Sequence, residues 1–266
     1  MAIPRRILLL LAAALGGIAA LPALSRSPSH VRLDYAGYLV DAEVLYARVD
    51  VSLGDPEGPY RMNLSSGLVG TLGELYKFHL QASSQGKVAA PGLAPARYMS
   101  EISVFDDRQT VLLTYGAHGA VRMTDDPPTE EGQLAKARGL LAGTVDPLSA
   151  ALGIASAVGH AGQCGGTLRI FDGARRYDLD LMPAPEDIPT PRFAVSLAGR
   201  PVACDAGVML ISGFSQSAMD AGMYPKTARF WLAPNVAGPL PALLRAEADT
   251  GIGLIRLDLR DILPGS

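Results

Sequence analysis

Apolar and polar positions alternate along most of the chain. Val31–Val40 and Ala42–Leu53 read as the first two strands, followed by the turn residues Asp55-Pro56-Glu57-Gly58. Tyr60, Met62 and Leu64 then alternate with Arg61, Asn63 and Ser65, which gives a strand one dry face and one wet face. Leu72–Ser84 suits either a strand or a short helical turn, and its aromatic content favours the strand. Beyond a Gly/Pro-rich connection at Ala89–Pro95 come Arg97–Phe105, Gln109–Tyr115 and Ala120–Thr124, with joints short enough for antiparallel hairpins. Asp125–Glu131 is acidic and proline-bearing, as an exposed loop would be, and a small helix reaching Leu141 is expected after it.

The period changes at Asp146. Asp146 is a helix cap, Pro147 suits the first helical position, and Leu148, Ala151, Leu152, Ala155 and Val158 recur at helical spacing. Ala150, Ile154 and Ala157 lie off that stripe and are apolar too, so this helix should be covered on nearly every side. Thr167–Phe171 and Arg175–Leu181 follow as a hairpin about Asp172-Gly173. Arg192–Leu197, Pro201–Gly213, Thr227–Leu232, Leu243–Ala248 and Gly253–Leu259 read as further strands.

One architecture accommodates both signals. A large curved antiparallel sheet, a half-barrel, gives the strands one dry side, and its concave face gives a buried helix a place to lie. The class is mainly β, and residues 26–266 read as a single domain because no Gly/Ser linker divides them. A hollow between helix and sheet would suit a small apolar ligand.

The N-terminus reads as an address. Arg5 and Arg6 precede an apolar run, Ile7 to Ala20, and Ala23-Leu24-Ser25 is a plausible cleavage site, so residues 1–25 are expected to be a signal peptide. The run is short for a membrane span of about 20 residues. No later stretch is long and apolar enough for a transmembrane helix, so the mature chain is expected to be periplasmic. Taking Arg5 and Arg6 from the 23 basic residues leaves 21 against 26 acidic ones, a net charge of −5. That balance argues against nucleic acid and against electrostatic attraction to anionic membranes.

Cys164 and Cys204, the two cysteines of an exported chain, suggest one disulfide. A nucleophilic Cys164 would need His160 as its base, and a metal would need ligands beyond these, so both are weaker readings. Gly213-Phe214-Ser215-Gln216-Ser217 lacks the final glycine of a nucleophile elbow. No zinc, phosphate-loop or dinucleotide motif is present, and neither cofactor nor metal is expected. On the hairpin, Tyr177 and Leu179 are expected to face inward with Arg175, whose fork of donors suits a carboxylate or phosphate headgroup. The blander alternative is that Asp172-Gly173 makes the turn and the arginines pair with strand neighbours.

GTVDPLSAAL at 143–152, Cys164, TLRIFDGARRYDLDL at 167–181, ARFWLAP at 228–234 and LLRAEADTGIGLIRL at 243–257 resemble the proteobacterial periplasmic family known as domain of unknown function 3108. YAGYLVDAEV at 35–44 is similar to that family's opening strand. The resemblance implies a half-barrel akin to periplasmic lipoprotein carriers, whose curved sheet a helix partly closes, and it implies no established reaction. The expectation is a non-catalytic protein that binds or transfers a lipid or acyl chain, with Leu148, Leu152, Arg175, Tyr177 and Leu179 at the ligand. The alternative is an envelope scaffold whose partner is another protein.

Overall fold

The computed structural model describes residues 29–54, 58–89, 92–185, 192–197, 199–233 and 241–264. The expected signal peptide lies outside them. The strands are β1 (Ser29–Leu39), β2 (Ala42–Leu53), β3 (Pro59–Leu68), β4 (His79–Ala89), β5 (Gly92–Val104), β6 (Asp107–Tyr115), β7 (Val121–Asp126), β8 (Gly166–Phe171), β9 (Arg176–Pro183), β10 (Val202–Ser212), β11 (Thr227–Ala233), β12 (Ala242–Thr250) and β13 (Gly253–Pro264). All belong to one curved antiparallel sheet, ordered β7-β6-β5-β4-β3-β2-β1-β13-β12-β11-β10-β9-β8. The expected class, mainly β with a large curved sheet, is the one observed.

Only β1 and β13 are neighbours without being consecutive, so the chain meanders out from both sides of that junction. Alternation fixes the register. Val51, Met62, Ser84, Tyr98, Leu113 and Met123 face one another across six successive strands, and each is buried.

Four helices interrupt the meander: α1 (Gly70–Tyr76), α2 (Glu130–Ala137), α3 (Pro147–Ala161) and α4 (Gln216–Asp220). The first corrects the sequence reading. Gly70–Tyr76 is a helical connection with no buried residue, and the strand begins only at His79. Leu75 and Tyr76 are left in solvent, whereas Leu80, on the strand, packs against the core. Arg192–Leu197 forms no ladder at all. Phe193, Val195 and Leu197 alternate because they pack against the core, with the Arg245 guanidinium 5.6 Å from the Phe193 ring and donating to the Arg192 carbonyl. Alternation reports one-sided burial, and a strap laid over a sheet has that as well as a strand does.

The two ends of the sheet are laced together by the residues just before α3. Gly143 N donates to Gly119 O at 2.8 Å, beside β7. Val145 N donates to Arg169 O at 2.8 Å and Val145 O accepts from Phe171 N at 3.0 Å, on β8. The edge strand β8 thus meets a short covering segment that takes up some of its free donors and acceptors, and the same segment reaches the turn before β7. Gly173, at φ +107 in the β8–β9 turn, lies so close to Val111 of β6 that a Cβ would collide with it.

Candidate functional site

The helix α3 starts where the sequence places it. Asp146 Oδ1 accepts from Ser149 N at 2.9 Å, Pro147 occupies the first turn, and Gly162 ends the helix at φ 69 with its N–H on Val158 O. Its apolar stripe then divides. Leu148 and Leu152 join a cluster with Leu33, Val51, Met62 and Leu113, whereas Ile154, Ala155 and Val158 join one with Leu181, Cys204, Ala206 and Leu232. The helix thus spans the hollow and touches both arms of the sheet. Its covering is less complete than the all-round apolar pattern implied, since Ala151 and Ala157 are exposed. A methyl group costs little there.

Between the first half of α3 and the inner faces of β1–β4, β12 and β13 lies a cavity of about 310 Å³. Its walls are Val31, Leu33 and Tyr35 of β1, five alternate residues of β2 from Leu45 to Leu53, and Met62, Leu64, Leu80, Leu243 and Leu257. The roof is Leu148, Ala151, Leu152 and Ala155. Because Ala151 is solvent-accessible, the cavity communicates with water along the helix. Polar groups are scarce: the Tyr35 hydroxyl donates to Leu243 O at 3.1 Å, and the Ser66 hydroxyl donates to Tyr46 O at 2.7 Å. The volume is at the small end of the range of about 300–1,000 Å³ for ligand pockets.

At the capped end of α3 lies a second feature that the sequence did not reveal. Asp146 is fully buried and no cation meets it among the described residues. Its Oδ2 is approached by Ser149 Oγ at 2.6 Å, Ser84 Oγ at 3.1 Å and Tyr115 OH at 3.4 Å. Ser149 Oγ also lies 2.7 Å from Tyr60 OH and 2.9 Å from Ser84 Oγ. Four hydroxyls and one carboxyl thus form a single buried hydrogen-bonded cluster. Burial pushes the Asp146 carboxyl up from its ordinary value, opposed by the hydrogen bonds from Ser149 and Ser84. Burial raises the Tyr60, Tyr98 and Tyr115 hydroxyls as well. Gly86 makes room for Tyr60, because a Cβ there would press on the ring. The cluster holds the N-terminus of α3 against β3, β4 and β6.

The residues expected at a ligand separate. Leu148 and Leu152 line the cavity, whereas Arg175, Tyr177 and Leu179 do not. Tyr177 and Leu179 share a strand face with Leu181, which meets the other half of the helix, and Tyr177 makes an edge contact with Phe214 at 6.4 Å between ring centroids. Arg175 is exposed at the turn, 3.7 Å from Asp172, while Arg176 is buried and bonded to Asp178 and the Tyr177 carbonyl. Arg175 therefore does not face inward as expected, and Arg176 lies on the strand face it shares with Asp178, opposite Tyr177. Asp172 draws the backbone in by accepting from Ala174 N and Arg175 N, which puts Arg175 in the turn before the strand's alternation starts. Cys164 and Cys204 are paired as a disulfide with Cα atoms 5.7 Å apart, fastening the segment after α3 to β10. Among the described residues no group of His, Cys, Asp and Glu is placed to hold a metal ion, and no helix is long and apolar enough to cross a membrane.

Among solved structures, the chain is similar to a beta-barrel-like protein of domain of unknown function DUF1849 from Brucella abortus. The two share 11% sequence identity over 88% of this chain and 97% of that one, with a TM-score of 0.48. No curated protein sequence matches it. The family model for protein of unknown function DUF3108 matches residues 32–260, and the chain belongs to that family.

Proposed function

We propose that this is an exported, non-catalytic protein of the periplasm that holds or hands over a hydrophobic molecule, a lipid or acyl chain, in the cavity beneath α3. The observation that carries the reading is the cavity wall, apolar on every strand that contributes to it, with its few hydroxyls already bonded to the backbone. An acyl chain gains about 0.8 kcal/mol for each methylene withdrawn from water, and this wall asks for no polar group in return. The leader-like N-terminus and the cysteine pair support export, because disulfides persist in oxidising compartments. A space left open under the helix favours a carrier over a scaffold, whose helix would fill the hollow.

Displacement of a fluorescent fatty acid tests the reading. The parent protein is expected to bind the probe and to release it to unlabelled fatty acid. Ala151→Trp, which places a ring in the cavity from an accessible position, is expected to weaken binding at least about tenfold with the thermal midpoint maintained. A parent protein that takes up no probe, or a variant that binds as well as the parent, overturns it.

A further inference from the structure

The antiparallel order places the β1–β2, β3–β4, β5–β6, β10–β11 and β12–β13 connections at one rim of the sheet. These connections expose large apolar side chains: Val40, Leu75, Tyr76, Phe105, Met223 and Ile252. Three of them sit in two-residue hairpin loops, Val40-Asp41, Phe105-Asp106 and Gly251-Ile252, where Asn-Gly or Asp-Gly is the relaxed choice. Val40 and Phe105 adopt φ 57 and 55, left-handed backbone that a β-branched or bulky residue enters only under strain. The β8–β9 turn at the same rim carries no exposed large apolar residue, nor do the described turns Gly116–Ala120 and Gly162–Gly165 at the opposite rim, where Met182 and Leu263 are exposed near strand ends.

We propose that this rim docks on a lipid surface, with the tips entering the headgroup layer of a zwitterionic membrane. The proposal deepens the carrier reading and rests on it for the ligand's destination. The shape favours lipid over a protein partner: the apolar groups stand on separate convex tips, spread along strands spaced about 4.8 Å apart, with neither a groove nor one contiguous patch. A membrane interface accepts scattered side chains at a common depth, and the Tyr76–Phe105 pair, 6.4 Å between centroids, suits the headgroup level. Neighbouring tips are tied into one edge by Gly251 N to Gly222 O at 2.7 Å, Val40 N to Leu254 O at 2.7 Å and Phe105 N to Tyr76 O at 3.4 Å. The charged residues beside them, Asp41, Glu74, Lys77, Asp106, Asp107 and Arg108, are acidic on balance, which selects against an anionic surface. The cavity runs between the two rims, from Leu45, Ser66 and Leu80 near this one to Val31, Leu53 and Leu243 near the other. A chain leaving the membrane at the tips would meet apolar wall soon after.

Co-flotation with phosphatidylcholine vesicles tests the proposal, using the full chain and the triple variant Val40→Asn, Phe105→Asn, Ile252→Asn. Both carry the same N-terminus, so the difference reads the rim. The variant is expected to lose about tenfold or more of its vesicle partitioning. Its thermal midpoint should stay or rise, because asparagine is at home in these turns. Phe105→Trp should shift its emission to the blue on adding vesicles, and Ala117→Trp at the other rim should not. Fatty acid offered in free solution should still bind the triple variant. If cavity binding persists but the vesicle effects are absent, the rim proposal falls and the carrier reading stands. Equal flotation of parent and variant, equal shifts from both tryptophans, or self-association abolished by the triple substitution without vesicle binding each overturns it.

Discussion

The two ends of α3 are secured by different chemistry. At Asp146 the helix is held by a buried cluster in which Tyr60, Ser84, Tyr115 and Ser149 surround one carboxyl, every contact depending on angle and distance. At the other end Ile154 and Val158 rest among Leu181, Ala206 and Leu232, contacts without direction, and the Cys164–Cys204 link closes the segment beyond. Directional bonds in a low dielectric specify one position, and apolar contacts tolerate small slides. The difference identifies the Asp146 end as the pivot of any helix movement that opens the cavity. The disulfide then limits how far the other end travels.

The largest expected effect comes from the tethered end. Replacing both Cys164 and Cys204 by serine releases a loop of 40 residues, which costs about 4 kcal/mol of stability in the chain-entropy model. Hydrogen exchange should then quicken at Val158–Gly162 before it does at Ser149–Leu152. Simultaneous quickening at both ends would show that the helix is secured as one piece, and the contrast between its ends would dissolve. Next in size, Asp146→Ala removes the cap and strands three hydroxyls in a dry site, for an expected loss of about 3 kcal/mol in chemical denaturation. Asp146→Asn keeps the capping oxygen and a neutral group, so it should cost clearly less. Equal losses from the two substitutions would mean that the hydroxyls do not depend on a hydrogen-bonding partner there.

How much of this was legible before the structure depends on the range of the signal. Strands such as Tyr60–Ser65 could be read because burial on one face writes itself into neighbouring residues, and the start of α3 because its cap, first proline and apolar spacing are all local. The cluster could not be read, since Ser149 meets Tyr60 across 89 positions and Asp146 meets Ser84 across 62. A trace existed: a carboxylate heading an almost wholly apolar helix must find donors on whatever covers it. Arg175 does not follow Tyr177 and Leu179 because the Asp172 turn takes it up before the strand's alternation begins. Leu148 and Leu152 could be placed at the hollow from helical spacing alone, whereas Tyr177 and Leu179 faced the correct interior but its other half.

The smallest effect separates the ends most sharply, because only one of them carries a buried carboxyl. Burial raises the Asp146 carboxyl above its unfolded value near 3.8, so the folded chain binds its proton more tightly than the unfolded chain does. The stabilisation from this group is complete below that value and is lost as pH rises through the folded-state value. The titratable groups that feel its charge, Tyr60, Tyr98, Tyr115 and Tyr177, offer no positive charge to reverse the sign. Denaturation measured from pH 4 to neutrality should therefore show a fall that Asp146→Asn abolishes and the cysteine-to-serine pair leaves in place. A slope that survives Asp146→Asn would place the titrating group elsewhere.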